Sequence, residues 1–155
     1  MKIIVDTNIV FSAILNSQGK IGQLIINGSK FFTFYTVGLL REEIGEHKDK
    51  ILKISGFTNE QFTKSYETIT KRITFVDEIL ISDKELLKAL DLVADIDEND
   101  ALFVALTNNI NGKLWTGDKK LISGLQKKRF LKTISTDELH EQFLGKQTTI
   151  RKRNK

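Results

Sequence analysis

A run of β-branched apolar residues near the N-terminus ends abruptly in a carboxylate. Ile3, Ile4 and Val5 are followed directly by Asp6. Such a run suits a buried strand, whose C-terminal end then carries the acid. Because a carboxylate next to a buried strand needs compensation, this feature points to a fold with a polar site at the strand's end.

Strand-like and helix-like segments alternate along the rest of the chain. The sequence predicts further strands at 31–35, 113–116 and 130–134, and a short extended segment at 73–76. Apolar spacing and capping signals predict helices after the first strand up to Gly28, at 38–54 with a bend near Gly45, after Thr58, after Ser82, at 100–110 and at 137–144. The alternation predicts a three-layer α/β/α sandwich around a mainly parallel sheet, with a helical insertion in the middle.

The length of 155 residues favours one domain, which we expect to span 1–145. The last helix should begin after Thr136 as N-cap and leave at Gly145, so that 146–155 forms a basic, flexible tail. The four basic residues of 151–155 account for the whole net charge of +4, and the remainder is neutral. An apolar stripe of Leu86, Leu87, Leu90 and Val93 would serve either the core or an interface with a second subunit, and we favour the core.

The composition restricts the chemistry. With no cysteine, the chain has no disulfide, no thiolate nucleophile and no zinc site of the cysteine type, and only His47 and His140 offer imidazole. A metal would therefore be held mainly by oxygen, which favours Mg²⁺ or Mn²⁺. Asp6 and Asn8 interrupt the N-terminal apolar run, and no other stretch has the length of a membrane span, so we expect a cytoplasmic protein.

Four carboxylates from distant segments should meet at one edge of the sheet. Asp6 and Asp118 follow strands, whereas Glu43 and Asp100 open helices at the same edge. Taken singly, each has a plainer interpretation as a cap, a turn or a solvated helix face. Taken together, they would repel one another unless a cation bound between them.

These residues lie in segments that resemble the ordered motifs of PIN domains. The segments are Val5–Asn8, Leu40–Ile44, Asp100–Leu106 and Leu114–Leu121, and the resemblance spans about 1–136. It implies that the acids of the metal site are Asp6, Glu43, Asp100 and Asp118, with Asn8 and Thr116 helping to position them. Glu42 is an alternative to Glu43. Asp97 is either a supporting acid or, as we favour, a helix cap.

The resemblance implies a Mg²⁺- or Mn²⁺-dependent endoribonuclease in which water attacks phosphorus, leaving a 5′-phosphate and a 3′-hydroxyl. The chain is also similar to VapC-type toxins of toxin–antitoxin pairs. That similarity implies an RNA substrate, a homodimer and an antitoxin protein whose segment reaches into the acidic groove.

Other interpretations stay open. A haloacid-dehalogenase-like phosphatase would need a second Asp where Asn8 stands, and a receiver domain fits the spacing poorly. A DNA-directed nuclease and a PIN-fold binding module without catalysis are the remaining alternatives. Two basic clusters, Lys119–Lys120 and Lys127–Arg129, either contact RNA or form a solvated face. Phe11 and Trp115 either stack on a base or, as their apolar neighbours favour, pack in the core.

Overall fold

Five parallel strands form the central sheet. In the computed structural model, which describes all of residues 1–155, the strand order is β3-β2-β1-β4-β5. The strands are β1 (Lys2–Val5), β2 (Thr33–Val37), β3 (Ile73–Val76), β4 (Lys113–Trp115) and β5 (Thr133–Ile134). Because β1 lies in the middle, both of its faces are covered, and Ile3, Ile4 and Val5 are fully buried. The predicted parallel sheet is confirmed, and the extended segment at 73–76 is one of its two edge strands.

Nine helices cover the two faces of the sheet. They are α1 (Thr7–Leu15), α2 (Lys20–Gly28), α3 (Leu39–Glu46), α4 (Lys48–Ser55), α5 (Asn59–Thr70), α6 (Asp83–Val93), α7 (Ala101–Asn109), α8 (Lys119–Lys127) and α9 (Thr136–Arg153), with single 3-10 turns at Glu78–Leu80 and Glu98–Asp100. One layer contains α1, α2, α5 and α9, and the other contains α6, α7 and α8, with α7 against β1, β2 and β4. The predicted α/β/α sandwich is confirmed.

Two segments predicted as single helices are each divided into two. The segment after β1 breaks at Asn16, whose φ of −147° ends α1. The segment after β2 breaks at His47, which ends α3 and precedes α4, whereas Gly45 lies inside α3. The break at His47 matters for the site, because the His47 ring there contacts Phe11 of α1.

The apolar stripe on α6 is only partly in the core. Val93 is buried and Leu86 is partly buried, but Leu87 and Leu90 are 64% and 37% exposed. Ala89, four residues before Val93, takes the buried position on the face that packs against α7. The prediction for Leu87 and Leu90 was therefore wrong.

Trp115 fixes the end of β4 within the core. Its side chain is fully buried and lies 6.0 Å from Phe34, measured between ring centroids. Its indole N–H donates to Thr136 Oγ1 at 3.0 Å, which satisfies the one polar atom of the ring. The core interpretation of Trp115 is confirmed, and the bond joins β4 to the start of α9.

The last helix is longer than predicted and starts one residue earlier. Its N-cap is Ser135, which forms a reciprocal capping box with Glu138, and the helix continues through Gly145 to Arg153. The helix begins at the carboxyl edge of the sheet, after β5. Its far part lies at the opposite edge, where Ile150 lines a groove with Met1 and Phe31. Residues 146–153 are thus helical, and the flexibility of the tail stays a prediction.

No single helix is both long and apolar enough to cross a membrane. Only α1 and α2 taken together reach that length and composition, and their axes differ in direction by 103°.

Substitution of Gly145 tests where α9 ends, and the same substitution at Gly56, which does end a helix, is the comparison. Gly145 lies inside a helix with nothing within 4 Å of an added Cβ, so Gly145→Ala should raise the free energy of unfolding by about 0.5–1 kcal/mol. Gly56, at φ 71°, caps α4 in the left-handed conformation, so Gly56→Ala should lower it by about 1 kcal/mol. Urea unfolding measures both. A destabilising Gly145→Ala would mean that the helix stops at Gly145, as the sequence predicted.

Candidate active site

A cavity of about 720 Å³ opens at the carboxyl edge of the sheet. All four predicted acids line it, and two further carboxylates join them. The six are Asp6, Glu42, Glu43, Glu46, Asp100 and Asp118. The carboxylates predicted to converge therefore share one cavity, although they come from four separate stretches of the chain.

Asp6 is the most buried of these acids, with 5% of its surface exposed. One carboxylate oxygen accepts the Thr7 backbone N–H at 2.7 Å, and the other accepts the Thr116 hydroxyl at 2.7 Å. The residue also caps the N-terminus of α1. These bonds supply the compensation that a buried carboxylate needs, and they fix its orientation toward the cavity.

Thr116 and Asn8 connect the ends of β1 and β4. Thr116 is buried, and its hydroxyl donates to Asp6 while accepting the Asp118 backbone N–H at 3.1 Å and the Asn8 amide at 3.4 Å. The Asn8 side-chain oxygen accepts the Gly117 backbone N–H at 3.3 Å. The structure thus brings Asn8 and Thr116 into the same network as the acids.

Glu43 and Glu42 differ in their contacts. Both line the cavity, but a carboxylate oxygen of Glu43 accepts a short hydrogen bond from the Thr7 hydroxyl, and Glu43 is half-buried. Glu42 is exposed and also borders a second cavity next to β3. Of the two neighbouring acids, Glu43 is the one directed toward Asp6.

Asp118 has a structural role as well as a place in the cavity. Its Oδ1 accepts the backbone N–H groups of Lys120 and Leu121 at 3.0 and 3.1 Å, and so caps α8. The turn and cap interpretation of this residue is therefore correct, and it does not compete with a role in the site, because Oδ2 accepts no hydrogen bond.

Asp100 differs from its neighbour Asp97. Asp97 lies outside the cavity and caps the 3-10 turn through the Asn99 backbone N–H at 3.0 Å. Asp100 precedes α7 but forms no capping hydrogen bond with its side chain. The cap interpretation holds for Asp97, whereas the carboxylate of Asp100 is free to act in the cavity.

The shared cavity perturbs two of the acids strongly. Burial raises the pKa of Asp100 to about 7, with further increases from the negative charges of Asp6, Asp97, Asp118 and Glu43. Burial also raises the pKa of Asp6, against the hydrogen bonds from Thr116 and Thr7 that lower it, and the charges of Glu43 and Asp118 raise it further. The cavity is therefore a site of unrelieved negative charge.

Sequence reasoning missed part of the cavity lining. Glu46, His47 and Lys50 follow Glu43 at helical spacing and face the same cavity, as do Thr7 and Asn99. The i+3 and i+4 spacing of Glu46 and His47 from Glu43 was the available signal, whereas Lys50 lies beyond the helix break at His47. Phe11 also lines the cavity and is only partly buried, so the preferred core interpretation was incomplete for this residue.

The basic cluster on α8 lies outside the acidic cavity. Lys119, Lys120, Lys127 and Lys128 border a separate cavity. Lys128 is bound to Asp95 by a short ion pair and to the Leu92 carbonyl. The solvated-face interpretation and the RNA interpretation of this cluster both stay open.

Comparison with known proteins gives a family and a fold. The family model described as PIN domain matches residues 4–144. No curated protein sequence matches the chain. Among solved structures, the chain is similar to one in the crystal structure of VapBC2 from Rickettsia felis bound to a DNA fragment from their promoter. The TM-score is 0.58 at 19% identity, covering 87% of this chain and 97% of that one.

The family match includes all four acids and most of the helices and strands that carry them. The structural similarity agrees with the sandwich described above. The chain belongs to the PIN-domain family.

Proposed function

We propose that this protein is a Mg²⁺- or Mn²⁺-dependent endoribonuclease that hydrolyses RNA phosphodiester bonds in the acidic cavity. The observation that carries the proposal is the meeting of Asp6, Glu43, Asp100 and Asp118 in one cavity. Their mutual repulsion and the raised pKa values of Asp6 and Asp100 are costs that a divalent cation would relieve. Membership of the PIN-domain family supports nuclease chemistry.

The donor set fits a hard divalent cation, although it is not assembled around one. No group of three or more His, Asp or Glu side chains stands ready to hold a metal ion. Glu43 instead binds the Thr7 hydroxyl, and Asp118 caps α8. The four acids offer carboxylate oxygens, which suit Mg²⁺ and Mn²⁺. Asp6, Glu43, Asp100 and Asp118 are the residues that would hold the metal.

The metal would polarise the phosphodiester and make a bound water more acidic. The protein's own contribution is positional. Thr116 and the Thr7 backbone hold both oxygens of Asp6, so this carboxylate cannot rotate freely. Asn8 ties the Thr116–Gly117 turn to α1. In hydrolysis, a water oxygen would bond to phosphorus, and the P–O3′ bond would break with protonation of the 3′ oxygen.

We further propose that the protein is the toxin of a toxin–antitoxin pair, active in the cytoplasm and inhibited by an antitoxin segment in the acidic cavity. The similarity to a chain of a VapBC2 complex supports this partner. A segment bearing an Arg or Lys side chain would suit a cavity with six carboxylates. The homodimer also stays a prediction.

Asp6→Asn should abolish metal-dependent RNA cleavage. The amide keeps the size of the side chain but removes the charge, so we expect the cleavage rate to fall more than roughly 100-fold. The assay measures cleavage of a mixed single-stranded RNA by wild type and variant in the presence of Mn²⁺, Mg²⁺ or EDTA. EDTA should stop cleavage by the wild type. Asp91→Asn, at an exposed position of α6, is the matched control and should keep wild-type activity.

The same assay separates the alternatives. Equal cleavage of single-stranded DNA and RNA of one sequence would contradict the RNA assignment. Absence of cleavage by the wild type, with no Mn²⁺ binding by calorimetry, would contradict the nuclease and favour a binding module. Metal-independent cleavage would contradict the role of the acids.

Asp100→Asn should stabilise the metal-free protein at neutral pH. The folded wild type keeps the Asp100 proton up to about pH 7, whereas the unfolded chain loses it near 3.8, so stability falls as pH rises between these values. The Asn variant lacks this loss. Because Asp100 is partly exposed, screening reduces the gain to roughly 1 kcal/mol, or about 2–4 °C in melting temperature.

Thermal unfolding in EDTA, from about pH 4 to about pH 8, measures this difference. The advantage of the variant should be absent near the acidic limit, grow with pH and stay constant above about pH 7. A difference that does not change with pH would show that the amide acts through packing and not through charge.

A further inference from the structure

Negatively charged side chains far outnumber positively charged ones around the acidic cavity. Six carboxylates line it, and Lys50 is the only Lys or Arg among the lining residues. A bound metal would neutralise the surroundings of one phosphate, but the neighbouring phosphates of an RNA would still meet negative side chains. Lys50 is exposed on α4 and has no ion-pair partner, so its ammonium group is available to a ligand.

The cavity also presents one partly open phenyl ring. Phe11 and Phe103 both line it, but Phe103 is buried, whereas Phe11 is only partly buried. Phe11 lies one turn after Thr7 on α1 and therefore on the same side of the helix. Phe11 packs against His47 in an edge-to-face arrangement. The ring centroids are 5.6 Å apart, and the angle between the ring planes is 64°.

The break between α3 and α4 brings these groups together. His47 ends α3 and precedes α4, and Lys50 is three residues further on. Phe11, His47 and Lys50 all line the cavity, and the Phe11 ring contacts the His47 ring. An aromatic face next to one cation is the combination by which proteins hold an unpaired nucleotide, with the base stacked and the phosphate paired.

We propose that Phe11 and Lys50 form a subsite for the nucleotide adjacent to the scissile phosphate, with its base on the Phe11 ring and its phosphate on the Lys50 ammonium. The inference rests on the proposed ribonuclease function and adds two residues that bind the substrate outside the acids. Because only an unstacked base can lie on Phe11, the substrate is single-stranded RNA, and a duplex is excluded unless it opens. His47 packs against the Phe11 ring and helps to hold it in place.

The first test uses Lys50→Ala with Lys53→Ala as control. Lys53 is exposed on the same helix and does not line the cavity. We expect Lys50→Ala to raise KM for single-stranded RNA about five- to tenfold with little change in kcat, and Lys50→Arg to restore it to within about twofold. Loss of one phosphate contact should also make the dependence of log KM on log salt shallower by about 0.7.

A metal titration separates this role from damage to the acidic site. Removing a positive charge near six carboxylates should leave Mn²⁺ affinity unchanged or tighten it. Weaker Mn²⁺ binding by Lys50→Ala would mean that the substitution disturbs the acids and would overturn the subsite.

The second test concerns the base. Phe11→Leu keeps an apolar side chain but loses the ring, so we expect its KM for single-stranded RNA to rise about tenfold. Phe11→Tyr keeps a ring, and its KM should remain near that of the wild type. Duplex RNA of the same sequence should be cut at least about tenfold more slowly by the wild type. Equal KM values for Phe11→Leu and wild type, or equal KM values for Lys50→Ala and Lys53→Ala, would overturn the subsite.

The two proposals fail in different ways. If the wild type cuts RNA with metal and both variants match it, the subsite is wrong and the nuclease stands. If the wild type neither cuts nor binds RNA with metal, the ribonuclease proposal is wrong and the subsite is overturned with it.

Discussion

The hydrogen bond between the Thr116 hydroxyl and the Asp6 carboxylate is the interaction on which the rest of the site depends. It joins the ends of the two central strands, β1 and β4, at 2.7 Å, within the part of the molecule that excludes water. The Asp6 backbone N–H also donates to the Trp115 carbonyl at 3.1 Å, so main chain and side chain together set the register. A buried carboxylate would destabilise the fold without these partners. With them, it marks where both strands end.

The other acids take their positions from this register. Asp118 follows β4 by way of the Thr116–Gly117 turn, and Glu43 is reached through the Thr7 hydroxyl at the start of α1. Asp100 arrives separately, because α7 crosses the sheet and its first turn returns to the same edge. Four segments therefore meet because of how parallel strands and their crossovers are arranged, and their repulsion is a consequence of that arrangement.

Much of this could be predicted from the sequence. The apolar run that ends in Asp6, the strand and helix alternation and the edge rule for parallel sheets together predicted the sandwich and the meeting of the acids. The predicted bend near Gly45 lies two residues before the observed break at His47, and the sequence did not show that His47 and Lys50 line the cavity, since α4 continues the helical pattern of α3. The end of α9 was misplaced because glycine is a common helix stop, whereas five of the eight residues at 146–153 are Lys, Gln or Arg, which favour a helix.

The long α9 gives the molecule an electrical polarity along the strand direction. Its 18 residues span about 27 Å, from the carboxyl edge beside the acids to the opposite edge, where Arg151, Lys152 and Arg153 stand exposed. Residues 1–150 are neutral overall, so the net charge of +4 lies on the tail, away from the acidic mouth, and the molecule has a large dipole moment. The basic pole attracts a polyanion that diffuses toward the metal-free protein, and the acidic mouth repels it. The two molecules therefore tend to meet at the basic pole. The proposed binding of cations at the mouth would weaken this orientation, because it would reduce the negative charge of the acidic pole.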